Sequence, residues 1–349
     1  MSAWPVVVVT GANAGVGFGI SRRLIFQLSP NEQKLRNKPF TMKWTRTLLD
    51  CERVPGYDGR ADNFRRNLKI ETEHLDLSVL SSVFTFGENI SKRHAYISHL
   101  VLNAGVANFT HVNWLGVAKQ FVCNGFLSTI TAPAYYVQST GEVTADGLGF
   151  VWQSNLFGHY VLFRVLEPLL QNPAYSAESR VVWSSSIEAS PKFYDEDDWQ
   201  LVKTDHSYEA VKYQIDLIGT ILDRKALEIH PASKYAISTN LVAYGGFLDT
   251  MKVLVFYVGR FLLGSRNHPI TPDNSAVVAV HLVLVAISFI TFSAESNPVR
   301  FGAETDRWGN PAVGLSPVRE WEKNRAHGEF LVEQCDELYR EFAAKRESK

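Results

Sequence analysis

An α/β fold, a doubly wound parallel sheet with helices on both faces, follows from three features of this sequence. β-Branched apolar runs such as "PVVVVTG" (5–11) end in glycine. Stretches with helical apolar spacing separate these runs. No internal repeat or low-complexity linker breaks the alternation. A strand buried on both faces reads as a continuous apolar run rather than an alternating one. Strands that alternate with helices imply βαβ units.

The elements follow in chain order. The first strand is 5–11. "GFGISRRLIFQLS" comes next, with Phe18, Ile20, Leu24 and Leu28 near helical spacing. "FTMKWTR" (40–46) reads as a second strand and "LKIETEHLDLS" (68–78) as a third. "ISHLVLNAG" (97–105) is a fourth, again ending in glycine. "GFVWQSNLFGHYVLFRVLEPLL" (149–170) is a long helix. "SRVVWSSS" (179–186) and "AISTNLVAYGG" (236–246) are the fifth and sixth strands. Insertions fall at 47–66, 107–148 and 187–206, and the mixed polar and aromatic makeup of 107–148 argues against disorder. The expectation is one domain over 1–349 with elaborated substrate loops.

Composition narrows the class. The chain has 349 residues, is 46% hydrophobic, and carries a formal net charge of -1. That length buries a large core. A near-neutral balance argues against nucleic acid as a partner, because phosphate binding shows as a basic excess. Cys51, Cys123 and Cys335 are far apart and odd in number, which excludes a disulfide framework and a zinc site. The ten histidines form no His-x-x-x-His pair, so no metal is expected. The N-terminus lacks a basic n-region and a cleavage site, so no signal peptide is expected.

"TGANAGVG" (10–17) joins the first strand to the first helix. Gly11, Gly15 and Gly17 permit a tight turn and a close approach of backbone to a pyrophosphate. The helix N-terminus adds unpaired N–H groups and a positive dipole end. The spacing, Gly-x-x-x-Gly-x-Gly within the first strand–helix unit, predicts a nucleotide site. The residue after the second strand selects the cofactor: an acid binds the ribose 2′-hydroxyl of NAD, and a base accommodates the 2′-phosphate of NADP. Here Arg46 ends "KWTRT" with no acid nearby, which favours NADP(H).

"SYEAVKYQIDL" (207–217) places Tyr208 and Lys212 one helical turn apart on one face. A Tyr-x-x-x-Lys match is common by chance, and its chemistry depends on company. A phenol titrates near pH 10, so it is a poor acid–base group at neutrality. A lysine one turn away is expected to favour the phenolate and bring the tyrosine toward the working range. A second donor should hold the oxygen being protonated, and Ser184, Ser185 and Ser186 are all candidates.

Six stretches in order carry a resemblance: "TGANAGVG", "HLDLS" (74–78), "LNAG" (102–105), "QSNLFGHY" (153–160), "VVWSSSIEAS" (181–190) and "YEAVK". Together they resemble the short-chain dehydrogenases/reductases over roughly 6–250. The long segment at 109–138, the stretch 181–217 with its wide serine-to-tyrosine gap, and "VGRFLLGSRNHPITPDNSA" (258–276) resemble more closely the fungal 3-keto sterol reductases of sterol C-4 demethylation. The resemblance implies that Gly11, Asn13, Gly15, Val16, Gly17, Arg46, Asp76, Leu77, Asn103, Ala104 and Gly105 line the cofactor, with Asp76 at the adenine. It implies Tyr208 as proton donor, with Lys212 tuning it and binding the nicotinamide ribose. Ser186, last in its run, becomes the catalytic serine, and Asn155 supports a water leading protons to Lys212. The implied activity is NADPH-dependent reduction of a sterol 3-ketone.

The chain departs from the family after the sixth strand. "LVAYGGFLDTM" (241–251) has Tyr244 where proline is expected, keeps Gly245, and has its threonine absent or displaced to Thr250. The segment 247–275 is expected to be a substrate lid or interfacial helix, with Lys252 and Arg260 among its apolar residues. "SAVVAVHLVLVAISFITF" (275–292) is near the length of a membrane span, but the fold favours a helix packed on the sheet. The resemblance implies peripheral attachment to the cytosolic face of the endoplasmic reticulum or a lipid droplet, an apolar polycyclic substrate, and contact with other sterol-pathway enzymes. Two other readings stay open. One is a relative acting on another polycyclic terpenoid or steroid, and the other is a non-catalytic scaffold for sterol enzymes.

Overall fold

The structure, a computed structural model, describes residues 4–28, 68–131, 133–172, 179–229, 234–240, 256–267, 269–285 and 297–348. Strand β1 is Val7–Val9 and helix α1 is Gly15–Leu28. Helix α2 (Leu80–Arg93) leads into β2 (His99–Leu102). Strand β3 (Phe109–Val112), the helical segment α3 (Trp114–Thr131, broken at Gly125 where φ is 80°) and β4 (Tyr136–Gln138) follow. Helix α4 starts as Phe150–Trp152, passes through a π-helical turn at Gln153–Phe157, and continues as Gly158–Leu170. Then come β5 (Arg180–Ser186), α5 (Ser207–Ile229), β6 (Lys234–Asn240) and α6 (Val277–Leu284). The chain ends with β7 (Val299–Thr305), β8 (Pro311–Pro317) and α7 (Trp321–Glu347).

The main sheet has the order β1-β2-β5-β6-β7-β8. All its pairs are parallel except the last, where β8 returns antiparallel on β7 as a hairpin. The continuous apolar runs explain its double burial. Leu100, Leu102, Val181 and Trp183 face a core shared with α2, α4, α5 and α7. The intervening Val101 and Val182 face a second core with α1 and α6. Successive side chains on a strand point to opposite faces, so each run feeds both cores. Val278, Ala279, Val280, Leu282 and Val283 of α6 are buried in the second core. Among the described residues, no helix is long and apolar enough to cross a membrane.

Several expectations change. Residues 68–78 form no strand. They find no ladder partner among the described residues, and Glu71 and Glu73 instead pair with Arg93 at the end of α2. The expected strand at 40–46, and residues 241–246 of the expected sixth strand, lie outside the described residues. The insertion 107–148 builds α3 and an antiparallel β3–β4 ribbon separate from the main sheet. The acidic run at 195–199 starts a short 3-10 helix, Glu196–Asp198, capped by Asp195. Asp198 is buried and accepts hydrogen bonds from the N–H groups of Val202, Lys203 and Thr204, each at 2.9 Å. Arg260 is also buried, its guanidinium 4.7 Å from the Tyr257 ring centroid, so it does not form the polar face of an interfacial helix.

Candidate active site

The candidate residues gather where the parallel strands end, the edge at which open α/β sheets bind ligands. Ser186 ends β5, Gly11 follows β1, and Asn103–Gly105 follow β2. Helix α5 begins at Ser207 and carries Tyr208, Lys212 and Asp216 at four-residue steps on one face.

The three serines have different tasks. The Ser186 hydroxyl accepts from the Glu188 N–H at 3.1 Å and is the serine side chain that acts on the Tyr208 phenol, favouring its ionised form. The Ser185 hydroxyl donates to the Lys212 carbonyl at 3.1 Å. Ser184 offers its backbone carbonyl to the Lys212 ammonium at 2.9 Å. Only Ser186 therefore turns its side chain to the tyrosine.

The electrostatics differ from the simple lysine–phenolate expectation. Burial pushes the Tyr208 phenol above its ordinary range, with Glu188 and Glu209 adding to the rise and the Ser186 hydroxyl opposing it. The Lys212 ammonium lies 5.6 Å from the tyrosine ring centroid and is committed to the Ser184 carbonyl, so desolvation wins. Lys212 is itself pushed down to about 8 by burial, with Asp216 opposing. The phenol is thus held protonated across neutral pH.

Asp216 is the member that sequence reading missed. It is buried and forms an ion pair with Arg300 of β7 at 2.8 Å. Burial raises its carboxyl, and Arg300 is the largest opposing influence. The signal was available: an acid four residues after Lys212 extends the Tyr208–Lys212 face by one more turn.

Asn155 sits within the π-helical turn. Its side chain clamps Val106, accepting from its N–H at 3.2 Å and donating to its carbonyl at 2.8 Å, and also donates to the Val151 carbonyl at 2.9 Å. The His159 ring bridges this turn to β1. Its Nδ1 lies 3.1 Å from the Asn155 carbonyl and its Nε2 lies 2.9 Å from the Thr10 hydroxyl. A carbonyl only accepts, so Nδ1 carries the proton and Nε2 accepts from Thr10. Burial pushes His159 down to about 3, which keeps it neutral.

The glycine turn has the shape of an anion cradle. Gly11 and Gly15 have φ of 67° and 56°, in the left-handed region that favours glycine. A Cβ at Gly17 would overlap the Gly11 carbonyl oxygen, and one at Gly105 would overlap Asn155 Oδ1. Asn13 is exposed and Val16 half-buried beside this turn. The Thr10 hydroxyl accepts from the Asn103 and Ala104 N–H groups at 2.8 and 3.0 Å, locking the two glycine turns together. With no acidic residue in the first turn of α1, its N-terminus suits a phosphate. These residues fit a dinucleotide. Asp76 Oδ1 is already engaged by the Ser78 N–H and hydroxyl at 2.9 and 2.7 Å. The Leu77 side chain lies in the core, so Leu77 can meet a ligand only through its backbone. Arg46, Tyr244, Gly245, Thr250 and Lys252 lie outside the described residues. No metal-holding group of His, Cys, Asp and Glu occurs among the described residues.

No protein-family model matches the chain. Curated proteins do. A 3-keto-steroid reductase of Kluyveromyces lactis is 30% identical over 323 residues, covering 88% of each chain. The 3-keto-steroid reductase ERG27 of Saccharomyces cerevisiae is 30% identical over 333 residues, covering 90% of this chain and 89% of the relative. The Schizosaccharomyces pombe 3-keto-steroid reductase erg27 is 29% identical over 99% of both. Among solved structures, a 3-oxoacyl-[acyl-carrier protein] reductase from Brucella melitensis in complex with NAD matches with a TM-score of 0.52 at 13% identity, covering 83% of this chain and 94% of that one. That likeness shows the fold.

Proposed function

The chain belongs to the fungal 3-keto-steroid reductases, within the short-chain dehydrogenases/reductases, and from that membership we propose that it reduces the 3-keto group of a sterol intermediate to the 3-hydroxy sterol with NADPH. The observation that carries the chemistry is the Tyr208–Lys212 face of α5, set against the end of β5 where Ser186 stands. Two hydroxyls converge where a ketone oxygen can sit. The Ser186 hydroxyl donates to that oxygen, and the protonated Tyr208 phenol delivers a proton as alkoxide character develops. Lys212 holds a positive charge close to the tyrosine ring and would hydrogen-bond the nicotinamide ribose of a bound cofactor. Gly11, Gly15 and Gly17 receive the pyrophosphate at the N-terminus of α1. The bound nicotinamide supplies the hydride. Asn155 braces the Asn103–Val106 turn, and its family role in leading protons to Lys212 belongs to this proposal.

The preference for NADP(H) rests on Arg46. A guanidinium–phosphate contact favours NADP by about 1.5–3 kcal/mol. Peripheral membrane attachment is supported by exposed Tyr257, Phe261, Leu262, Leu263 and Trp308. Vesicle flotation tests it: recovery of the protein only in the vesicle-free fraction removes that part. Contact with other sterol-pathway enzymes rests on the family alone.

The assay is direct. Purified protein is given a 4-methyl-3-keto sterol with NADPH or NADH. The expected result is a 3-hydroxy product, formed faster with NADPH, and an Arg46→Asp variant that loses or reverses the preference. No product with either cofactor overturns the reading. An unchanged cofactor ratio in the variant overturns the role of Arg46.

A further inference from the structure

Phe109 and Gln138 are cross-strand partners in the β3–β4 ribbon, and both reach the first turn of α5. Gln138 is buried. Its Oε1 accepts from the Ser207 hydroxyl at 3.0 Å and the Tyr208 N–H at 2.8 Å, and its Nε2 donates to Glu209 Oε2 at 2.5 Å. One amide therefore binds three consecutive residues at the start of the catalytic helix. Glu209 in turn lies 3.3 Å from His206 Nδ1, whose ring stacks on Phe193. The ribbon is locked to Tyr208 by this buried network.

Phe109 meets the Tyr208 ring edge-on, with centroids 5.8 Å apart and an interplanar angle of 63°. Tyr136 packs beside Phe109 at 4.9 Å. Phe109 is nevertheless 40% exposed. A ketone whose oxygen reaches Ser186 and Tyr208 must lay its remaining skeleton over an adjoining surface. A bare aromatic ring beside the proton donor suits a flat apolar fused-ring skeleton, which gains by covering it.

We propose that the β3–β4 ribbon is the specificity element of this site. Phe109 contacts the fused rings of the substrate, and Gln138 is a positioning residue that keeps Phe109 and Tyr208 in register. This rests on the reading of the chain as a 3-keto-steroid reductase.

The test uses the full chain with NADPH and a 3-keto steroid. Phe109→Ala should raise KM about 10–100-fold while kcat and NADPH affinity stay within about threefold. Phe109→Tyr keeps the ring and should recover the wild-type KM. Gln138→Leu should lower kcat about tenfold or more in protein that still binds NADPH. Combining Gln138→Glu with Glu209→Gln exchanges amide and carboxylate and should recover most of that kcat. An unchanged KM in Phe109→Ala, or a loss confined to kcat, overturns the specificity role. A folded Gln138→Leu enzyme with wild-type kcat overturns the positioning role. A wild-type chain that leaves the steroid untouched overturns the underlying reading, and the proposal with it.

Discussion

Tyr208 and Lys212 occupy protonation states that set the pH behaviour of the site. The phenol is raised by burial and is a neutral donor at pH 7. Replacing Tyr208 with Phe removes one oxygen and keeps the ring against Phe109. Stability should change by about 0.5–1.5 kcal/mol, and turnover should fall by roughly 10²–10⁴-fold with NADPH still bound. Thermal melts, NADPH titration and turnover on one sample check this, and wild-type turnover in the folded variant refutes the assignment. Lys212, pushed down to about 8, loses its ammonium as pH rises through that value, and reductive turnover should fall with it. Lys212→Arg, whose guanidinium stays charged, should move that limb to higher pH; an unmoved limb assigns it elsewhere. Stability has its own sign. The unfolded lysine, titrating near 10.5, binds a proton that the folded one has lost between about 8 and 10.5, so stability rises with pH across that window. Below it the full desolvation cost is present. Without cofactor, Lys212→Met should therefore be more stable than wild type at pH 7 by up to about 3 kcal/mol, at 1.36 kcal/mol per pKa unit. The gain should vanish near pH 10.5. Denaturant titrations at both pH values measure it.

The turn after β2 and helix α4 work as one element pair. Asn155 clamps Val106 on both backbone groups, and its Oδ1 occupies the space a Cβ on Gly105 would need. Gly105→Ala should force this clamp open, cost about 1–3 kcal/mol as overpacking does, and lower turnover. A variant with wild-type stability and turnover would show that the clamp yields freely. The glycine and the asparagine were both legible in the sequence through their motifs. The π-helical turn that carries Asn155 was not. One extra residue in a turn leaves the apolar pattern of a long helix almost unchanged, and "QSNLFGHY" reads as ordinary helix.

At the scale of the whole molecule, buried charge ties distant elements together. Asp216 on α5 and Arg300 on β7 pair at 2.8 Å with almost no solvent access. Arg300→Met leaves the carboxylate buried and unpaired and should cost about 3–5 kcal/mol. Removing both charges, with Asp216→Leu added, should recover most of that loss. Equal losses in the single and double variants would show that packing, not the pair, holds β7. The C-terminal helix is held in a similar way. Asp336 accepts from Tyr160 Oη at 2.8 Å and pairs with Arg164 at 2.6 Å, which seats α7 on α4.

Local order along the chain was enough to determine the parallel sheet, the glycine turn and the Tyr208–Lys212 face. Continuous apolar runs, glycine placement and four-residue spacing act within a few residues of one another, and each has a direct backbone cause. Contacts between distant residues had no such trace. The β3–β4 ribbon pairs residues across a helical segment broken at Gly125, and its strands are only four and three residues long. The β7–β8 hairpin closes the sheet through pairing rather than pattern. The choice of Ser186 followed from family resemblance, whereas the tertiary structure assigns each serine its partner. The ionisation of Tyr208 was also misjudged from sequence. Spacing reports a neighbouring charge, but desolvation depends on everything that surrounds the phenol, and only the assembled fold decides that.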